Sequence, residues 1–238
     1  MSPQIAHAKA YPFPIPENSY VIHAEGYREI AQAESLPDLV GLTPVLACGS
    51  NQSPEQLARK FNDLDGHPIP VLKVRIKDFD AVHSPHFSTY GSIPATLHYH
   101  PGVTATLFTT WLNDAQLERM HETEVASENY EYVRLDDITL DVDGGPRLTS
   151  VYAYISRRGI LCHNAKPLGL ASVKTTGRAW PEVSQSDVQA LARDRLAPGT
   201  ELEAFIAENL GSADTRRTRA AQLAQDALPF TYPKTFKP

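Results

Sequence analysis

Two short stretches of the sequence carry residues suited to chemistry, and the first is the turn Gly49-Ser50-Asn51. It follows the apolar run Val45–Cys48, which predicts a strand, and it precedes Ser53, Pro54 and Gln56. These three residues predict a helix start with a capping box, which places backbone N–H groups and the positive end of a helix dipole beside the turn. The turn is therefore suited to holding a carboxylate or another anion, although the same composition also suits a plain connection.

The second stretch ends at Glu124. A helix over residues 114–124 would place Leu117, Met120 and Glu124 on one face, and would turn Glu122 toward solvent. An inward carboxyl at the negative end of a helix dipole favours its protonated form, which suits a general acid and base at neutral pH. The alternative is that Glu124 forms an ion pair at the helix end with a cation such as Arg134.

Two other chemistries stay open at this point. Cys48 precedes a helix start, where a lowered thiol pKa can produce a nucleophile, but no histidine stands at a spacing that identifies its base. His83 and His86 are three residues apart, and His98 and His100 share one strand face, so a metal site is the other alternative. Histidines at such positions more often form ordinary hydrogen bonds.

The surrounding chain predicts the strands that position these residues. Val71–Phe79 alternates apolar and charged residues, with positions 72, 74 and 76 toward a core. Residues 95–100 and 105–111 predict a hairpin that turns at Pro101-Gly102. Further strands are predicted over 130–141 and 147–155, joined by a turn at 143–145. Short connections between these strands predict an α+β fold with a small mixed β-barrel and peripheral helices.

The flanking segments differ in character from this barrel region, residues 43–158. Residues 1–42 predict an extended arm, because Pro12, Pro14 and Pro16 alternate with apolar residues, and the arm is assigned a short helix over 28–34. Residues 159–238 predict a mostly helical extension packed on the barrel, with helical spacing over 186–196, 200–210 and 214–228. Either flank is suited to a homodimer contact.

Composition restricts the class of protein. The 238 residues are 42% hydrophobic and 21% charged, as in soluble globular proteins. A net charge of −6 argues against nucleic-acid binding. Cys48 and Cys162 are too few for a disulfide framework, and the sequence lacks an apolar run of membrane length or a secretory signal. These features predict a cytoplasmic protein with neither nucleic-acid nor membrane partners.

The order of these features resembles the γ-glutamylcyclotransferase-like family. That order is an apolar strand, the turn Gly49-Ser50-Asn51, a helix, the segment 91–97, and a helix ending in Glu122-Thr123-Glu124 before a tyrosine. The family's hallmarks are a Tyr-Gly-Ser-Asn turn after the first strand and a single glutamate after the central helix. The resemblance covers residues 43–158, and it departs at Cys48, where the family usually has tyrosine.

The resemblance implies an intramolecular reaction without a metal or nucleotide cofactor. The α-amine of a γ-glutamyl group would attack its own γ-carbonyl and release 5-oxoproline and an amine, with Glu124 as the acid and base. The residues that the resemblance assigns to substrate binding are Cys48, Gly49, Ser50, Asn51, Gln52, Tyr130 and Tyr132. Cys48 lacks the phenol hydroxyl of the family's tyrosine, which leaves three alternatives. The substrate differs from that of the family, the site cleaves a related small amide, or activity is lost.

A non-catalytic binding or scaffold protein with the same barrel is the alternative from a different class, since a fold does not fix a function. The two hypotheses differ in where Glu124 and the turn lie. An enzyme requires that both line one pocket.

Overall fold

The computed structural model describes residues 2–31, 33–62, 68–125 and 129–238. Within them the helices are α1 (Pro3–Lys9), α2 (Pro54–Phe61), α3 (Asp114–Glu124), α4 (Gln185–Leu196), α5 (Leu202–Gly211) and α6 (Ala213–Leu223), with 3-10 turns at Ser50–Gln52 and Ala224–Asp226. The strands of four or more residues are β1 (Tyr20–His23), β2 (Gly26–Glu29), β3 (Thr43–Ala47), β4 (Ile69–His83), β5 (Ala95–Leu112), β6 (Tyr130–Val142) and β7 (Arg147–Ser156). The short strands are β8 (Cys162–His163), β9 (Lys166–Pro167), β10 (Gly169–Leu170), β11 (Thr175–Thr176), β12 (Glu182–Val183) and β13 (Thr235–Phe236).

Five strands close into a barrel, as predicted. The order β4-β5-β3-β7-β6 returns to β4, since β4 pairs with both β5 and β6. The β3–β7 pair is parallel and the other pairs of the barrel are antiparallel, so the sheet is mixed. Alternation buries Leu72, Val74 and Ile76 of β4 inside the barrel. The fold is therefore α+β, with a small mixed barrel and peripheral helices.

The hairpin predicted at Pro101-Gly102 is wrong, because β5 runs unbroken from Ala95 to Leu112. Both of its halves pair with β4, and the register shifts between Lys77 and Phe79. Asp78 adopts a φ of 63°, and its carboxylate accepts a hydrogen bond of 2.7 Å from the Gly102 N–H. The Pro-Gly pair therefore forms part of a β-bulge that bends two long strands, instead of a turn that ends one of them.

The helix caps predicted from the sequence form fully at α3 and only in part at α2. Asn113 and Gln116 form a full capping box at the start of α3. Pro54 begins α2 as predicted, but the Ser53 side chain makes no capping hydrogen bond there. Ser53 is fully buried, and its hydroxyl has no partner among the described residues.

Both flanks pack closely on the barrel region. The N-terminal segment is not uniformly extended, because it contains α1 and the β1–β2 hairpin. β2 ends at Glu29 and so covers the first two residues of the range 28–34 that was predicted as a helix. Ile5 and Ala8 of α1 pack against Ile206 of α5. The Gln189 side chain of α4 donates a 2.9 Å hydrogen bond to the Gly91 carbonyl, which ties the loop after β4 to the C-terminal helices. Each described helix is too short or too polar to span a lipid bilayer.

A buried ion pair joins β4 to the segment before α4. Asp80 and Arg178 have side chains that are 0% and 3% exposed, and Arg178 Nε lies 2.7 Å from Asp80 Oδ2. Trp180 Nε1 donates to the same oxygen at 3.0 Å, and Thr175 donates to Oδ1 at 2.8 Å. Each carboxylate oxygen therefore has partners that compensate for the loss of water.

We expect Asp80→Asn to lower the free energy of unfolding by about 3–5 kcal/mol, because it leaves a buried guanidinium without its carboxylate. Urea unfolding followed by circular dichroism measures the change. Asp141→Asn is the matched control, since Asp141 pairs with Arg147 on the surface and its loss should change stability little. Equal losses in the two variants would contradict the assigned role of the buried pair.

Candidate functional site

A cavity of about 480 Å³ lies at the end of the barrel where β3 and β7 finish and β6 begins. It is lined by the turn after β3, one face of α2, the loop after β4, the end of α3 and one face of α6. Glu124 and the turn Gly49-Ser50-Asn51 both line this cavity. The two stretches singled out in the sequence therefore lie together, although more than 70 residues separate Asn51 from Glu124 along the chain.

Glu124 is half-buried at the last position of α3, on the face of the buried Met120. Its Oε1 accepts a hydrogen bond of 3.2 Å from Asn51 Nδ2 and forms an ion pair with Lys60 of α2. Lys60 Nζ also lies 2.7 Å from Asn51 Oδ1. Glu124 therefore forms the ion pair that was considered as the alternative, with Lys60 as its cation, whereas Arg134 pairs with Asp136.

Tyr11 reaches the cavity from the segment after α1. Its hydroxyl lies so close to Gly49 that a Cβ added there would be 2.1 Å from it. The same oxygen accepts a 2.7 Å hydrogen bond from the Ala95 N–H. The described hydrogen bonds of Tyr11 leave its own proton for a ligand. Glycine is therefore required at position 49 by the packing of a side chain from a distant segment.

The phenols of the cavity are protonated donors at neutral pH. Burial raises the pKa of Tyr11 and of Tyr130 well above the ordinary value, and it raises the pKa of Tyr90 in the same direction. The Tyr130 hydroxyl donates a hydrogen bond of 2.9 Å to the Ala95 carbonyl. The N–H and the carbonyl of Ala95 are thus both hydrogen-bonded to tyrosine hydroxyls, those of Tyr11 and Tyr130.

Cys48 lies in the cavity wall but is unsuited to be a nucleophile. Burial raises the pKa of its thiol to about 12, and the negative charge of Glu124 acts in the same direction. The thiolate that would attack a substrate is therefore scarce at neutral pH. Cys48 contributes shape and apolar surface to the cavity.

Two residues assigned to substrate binding lie outside the cavity lining. Gln52 is 1% exposed and braces the turn, since its Nε2 donates to the Gly49 carbonyl at 3.3 Å. Tyr132 lies farther along β6, where its ring stacks on Tyr152 with centroids 5.0 Å apart. Tyr130 is the tyrosine of this pair that lines the cavity.

The histidines considered for a metal site have other contacts. His83 is buried with its ring nitrogens 3.3 Å from the Ile93 carbonyl and 3.1 Å from the Val183 carbonyl. His98 and His100 both pack on the ring of Trp180. The part of the chain that the structure describes contains no group of three or more histidine, cysteine or acidic side chains arranged to hold a metal ion.

Sequence reasoning missed several cavity residues. Lys60 had a usable signal, because α2 begins at the turn and a residue one or two turns along its inner face returns to the same site. The sequence contains no such signal for Tyr11 or for Arg216 and Arg217 of α6, since their contacts join segments far apart in sequence.

We expect Gly49→Ala to lower the free energy of unfolding by about 1–3 kcal/mol, because the new methyl group overlaps the Tyr11 hydroxyl. Tyr11→Phe removes that oxygen, so the double variant should recover part of the loss in a double-mutant cycle from urea unfolding. Gly211→Ala is the control, since a Cβ there meets nothing within 4 Å. Strict additivity of the two changes would show that Tyr11 does not pack against position 49.

We expect iodoacetamide to label Cys48 in the native protein at pH 8.5 at least about 100-fold more slowly than in urea, because the raised thiol pKa keeps the reactive thiolate scarce. Peptide mass spectrometry separates Cys48 from Cys162. Rapid native labelling of Cys48 would restore the hypothesis that it is a nucleophile.

The chain matches no protein-family model and no curated protein. Similar solved structures include one described as "Gamma-glutamyl cyclotransferase", with 13% identity, covering 81% of this chain and 91% of that chain, at a TM-score of 0.40. An uncharacterized protein of Homo sapiens has 14% identity over 81% of this chain and 91% of that chain, at a TM-score of 0.41. YkqA from Bacillus subtilis has 11% identity over 83% of this chain and 72% of that chain, at a TM-score of 0.37. Likenesses at such TM-scores carry no inference about activity, which depends on the geometry of the cavity.

Proposed function

We propose that this protein is a cyclotransferase-like enzyme that acts on a γ-glutamyl compound or a closely related small amide. The observation that carries the proposal is the shared cavity of Glu124 and the turn Gly49-Ser50-Asn51, in which Asn51 Nδ2 lies 3.2 Å from the Glu124 carboxylate. An acid/base carboxylate beside a group of anion-binding backbone donors is what an amine-bearing amino-acid substrate requires.

In the proposed reaction the α-nitrogen of the substrate forms a bond to the carbonyl carbon of the γ-amide, and the C–N bond of that amide breaks. Glu124 accepts a proton from the α-ammonium, which frees the lone pair for attack, and then returns a proton to the departing nitrogen. Of the three ammonium protons, one stays on the lactam nitrogen of 5-oxoproline and two end on the released amine as its ammonium. Glu124 is regenerated as a carboxylate.

The neighbours of Glu124 have roles in this proposal. Lys60 forms an ion pair with Glu124 and so holds the carboxylate beside the turn. Asn51 donates to the same oxygen and so fixes the direction of the carboxylate. The N–H groups of the turn bind the α-carboxylate of the substrate.

Tyr11 is assigned the role of the phenol that the family resemblance leads one to expect at position 48. Its hydroxyl adjoins Gly49, and its proton is available to donate to the oxygen of the tetrahedral intermediate. In this proposal Tyr11 supplies, from a segment distant in sequence, the hydroxyl that Cys48 lacks.

A second candidate function is ligand binding without turnover. The ion pair between Lys60 and Glu124 favours it, because a carboxylate that is already paired can be structural. In that case the cavity would bind the same amine-bearing compounds and release them unchanged.

We expect Glu124→Gln to lower kcat/KM by at least about 100-fold, because it removes the group that transfers the proton. The measurement is 5-oxoproline release from a panel of γ-glutamyl compounds. Glu122→Gln is the matched control on the same helix, since Glu122 is exposed and pairs with Arg119.

The outcome of this experiment distinguishes the enzyme from a protein that binds the ligand without turnover. Turnover by the wild type with equal turnover by Glu124→Gln would refute the acid/base assignment. Binding of the panel compounds to the wild type without any 5-oxoproline would favour the second candidate.

A further inference from the structure

The cavity has a charge opposite to that of the chain as a whole. Among the described residues, the charged side chains of its lining comprise one carboxylate, Glu124, and the cations Arg59, Lys60, Arg158, Arg216 and Arg217. The whole chain has a net charge of −6. These cations come from α2, from the loop after β7 and from α6, so three separate elements bring the same sign to one cavity.

Three of the arginines form no ion pair within the part of the chain that the structure describes. Arg59 donates to the amide oxygen of Gln56, and Arg158 Nε donates to Asn129 Oδ1 at 3.1 Å. Arg216 Nη1 donates to the Asn209 carbonyl at 2.6 Å. A guanidinium has five N–H donors, so each keeps donors for an anionic ligand.

Lys60 and Arg217 differ from these three, because Lys60 pairs with Glu124 and Arg217 pairs with Asp214. The cavity cations without an ion pair to any described residue are therefore Arg59, Arg158 and Arg216. We name these three residues the arginine rim.

The charge of the arginine rim acts on groups inside the cavity. Burial and, to a smaller extent, the positive charge of Arg158 together lower the pKa of His86 to about 3. At Tyr90 burial raises the pKa, and the charge of Arg59 opposes that rise. A cavity with like charges on several walls favours an anion more strongly than a lone surface arginine does.

We propose that the arginine rim binds a leaving portion that carries two or more anionic groups, carboxylate or phosphate. The identity of the reacting end rests on the proposed cyclotransferase function, whereas the anion site rests on the rim itself. The turn at residues 49–51 already accounts for the α-carboxylate of the glutamyl group. The volume of about 480 Å³ is large enough for a small substrate with a charged second part.

The test compares γ-glutamyl compounds that share the reacting end and differ in the leaving portion. The series is γ-glutamyl-ethylamide, γ-glutamyl-alanine, γ-glutamyl-glutamate and γ-glutamyl-O-phosphoserine, which carry no anionic group, one carboxylate, two carboxylates, and a carboxylate with a phosphate. We expect kcat/KM at low salt to be at least about tenfold higher for the last two than for the ethylamide, because charge-assisted hydrogen bonds form at the rim. The preference should shrink as salt is added.

The variants are Arg158→Gln and, as a second substitution in another element, Arg59→Gln. Each should reduce the preference for the two polyanionic compounds at least about fivefold. Arg147→Gln is the control, since Arg147 is an exposed arginine on the β6–β7 hairpin and is absent from the cavity lining. It should keep the wild-type preference, and thermal unfolding verifies that each variant is folded.

Binding without turnover is measured by calorimetry with γ-glutamyl-glutamate and the Glu124→Gln variant, with and without Arg158→Gln. Cyclisation of all four compounds without a charge preference would overturn the anion site and leave the proposed function standing. Arginine-dependent binding, with no 5-oxoproline released by the wild type, would overturn the proposed function and leave the anion site standing. Neither turnover nor arginine-dependent binding would overturn both.

Discussion

Closure of the barrel through the β4–β5 pairing is the constraint on which the candidate site depends. β4 pairs with β5 along both of its halves, and the register shifts where the Asp78 carboxylate accepts the Gly102 N–H. The bend at this bulge lets the start of β5 curve over the barrel, so Ala95 reaches Gly49 and lies between Tyr11 and Tyr130.

The remaining walls follow from strand order. Because β3 and β7 are parallel neighbours, the turn after β3 and the segment after β7 leave the barrel at the same end. β6 is antiparallel to β7, so Tyr130 at its start pairs with Ser156 at the end of β7 and faces the same cavity. α2 and α3 then pack outside the barrel and bring Lys60 to Glu124. The acid is thereby positioned by packing between two helices.

Features that depend on local periodicity could be predicted from the sequence. The α3 face that carries Met120 and Glu124 and the buried positions of β4 follow from spacing within one element, and the structure confirms both. Pro101-Gly102 was misread because its local turn preference is overridden by pairing on both sides with β4. Ser53 has no capping hydrogen bond, although its position is that of an N-cap.

Features that depend on distant contacts could not be predicted in this way. Tyr11 meets Ala95 across 84 residues, and no periodic pattern encodes such a contact. Tyr130 and Tyr132 were both assigned to substrate binding, but of the two only Tyr130 lines the cavity. Two residues along a strand advance the side chain by roughly 7 Å. The arginine rim likewise draws on three elements whose meeting point is set only by the complete fold.

The origin of the cavity walls has a consequence for how the protein matures during synthesis. Residue 11 is translated before the barrel strands, and α6 (Ala213–Leu223) is translated after all of them. A nascent chain could pair its barrel strands while the α6 wall of the cavity is still absent. The complete cavity wall would then form only after α6 has been translated, so a chain that stops before α6 would lack Arg216 and Arg217 of the candidate site.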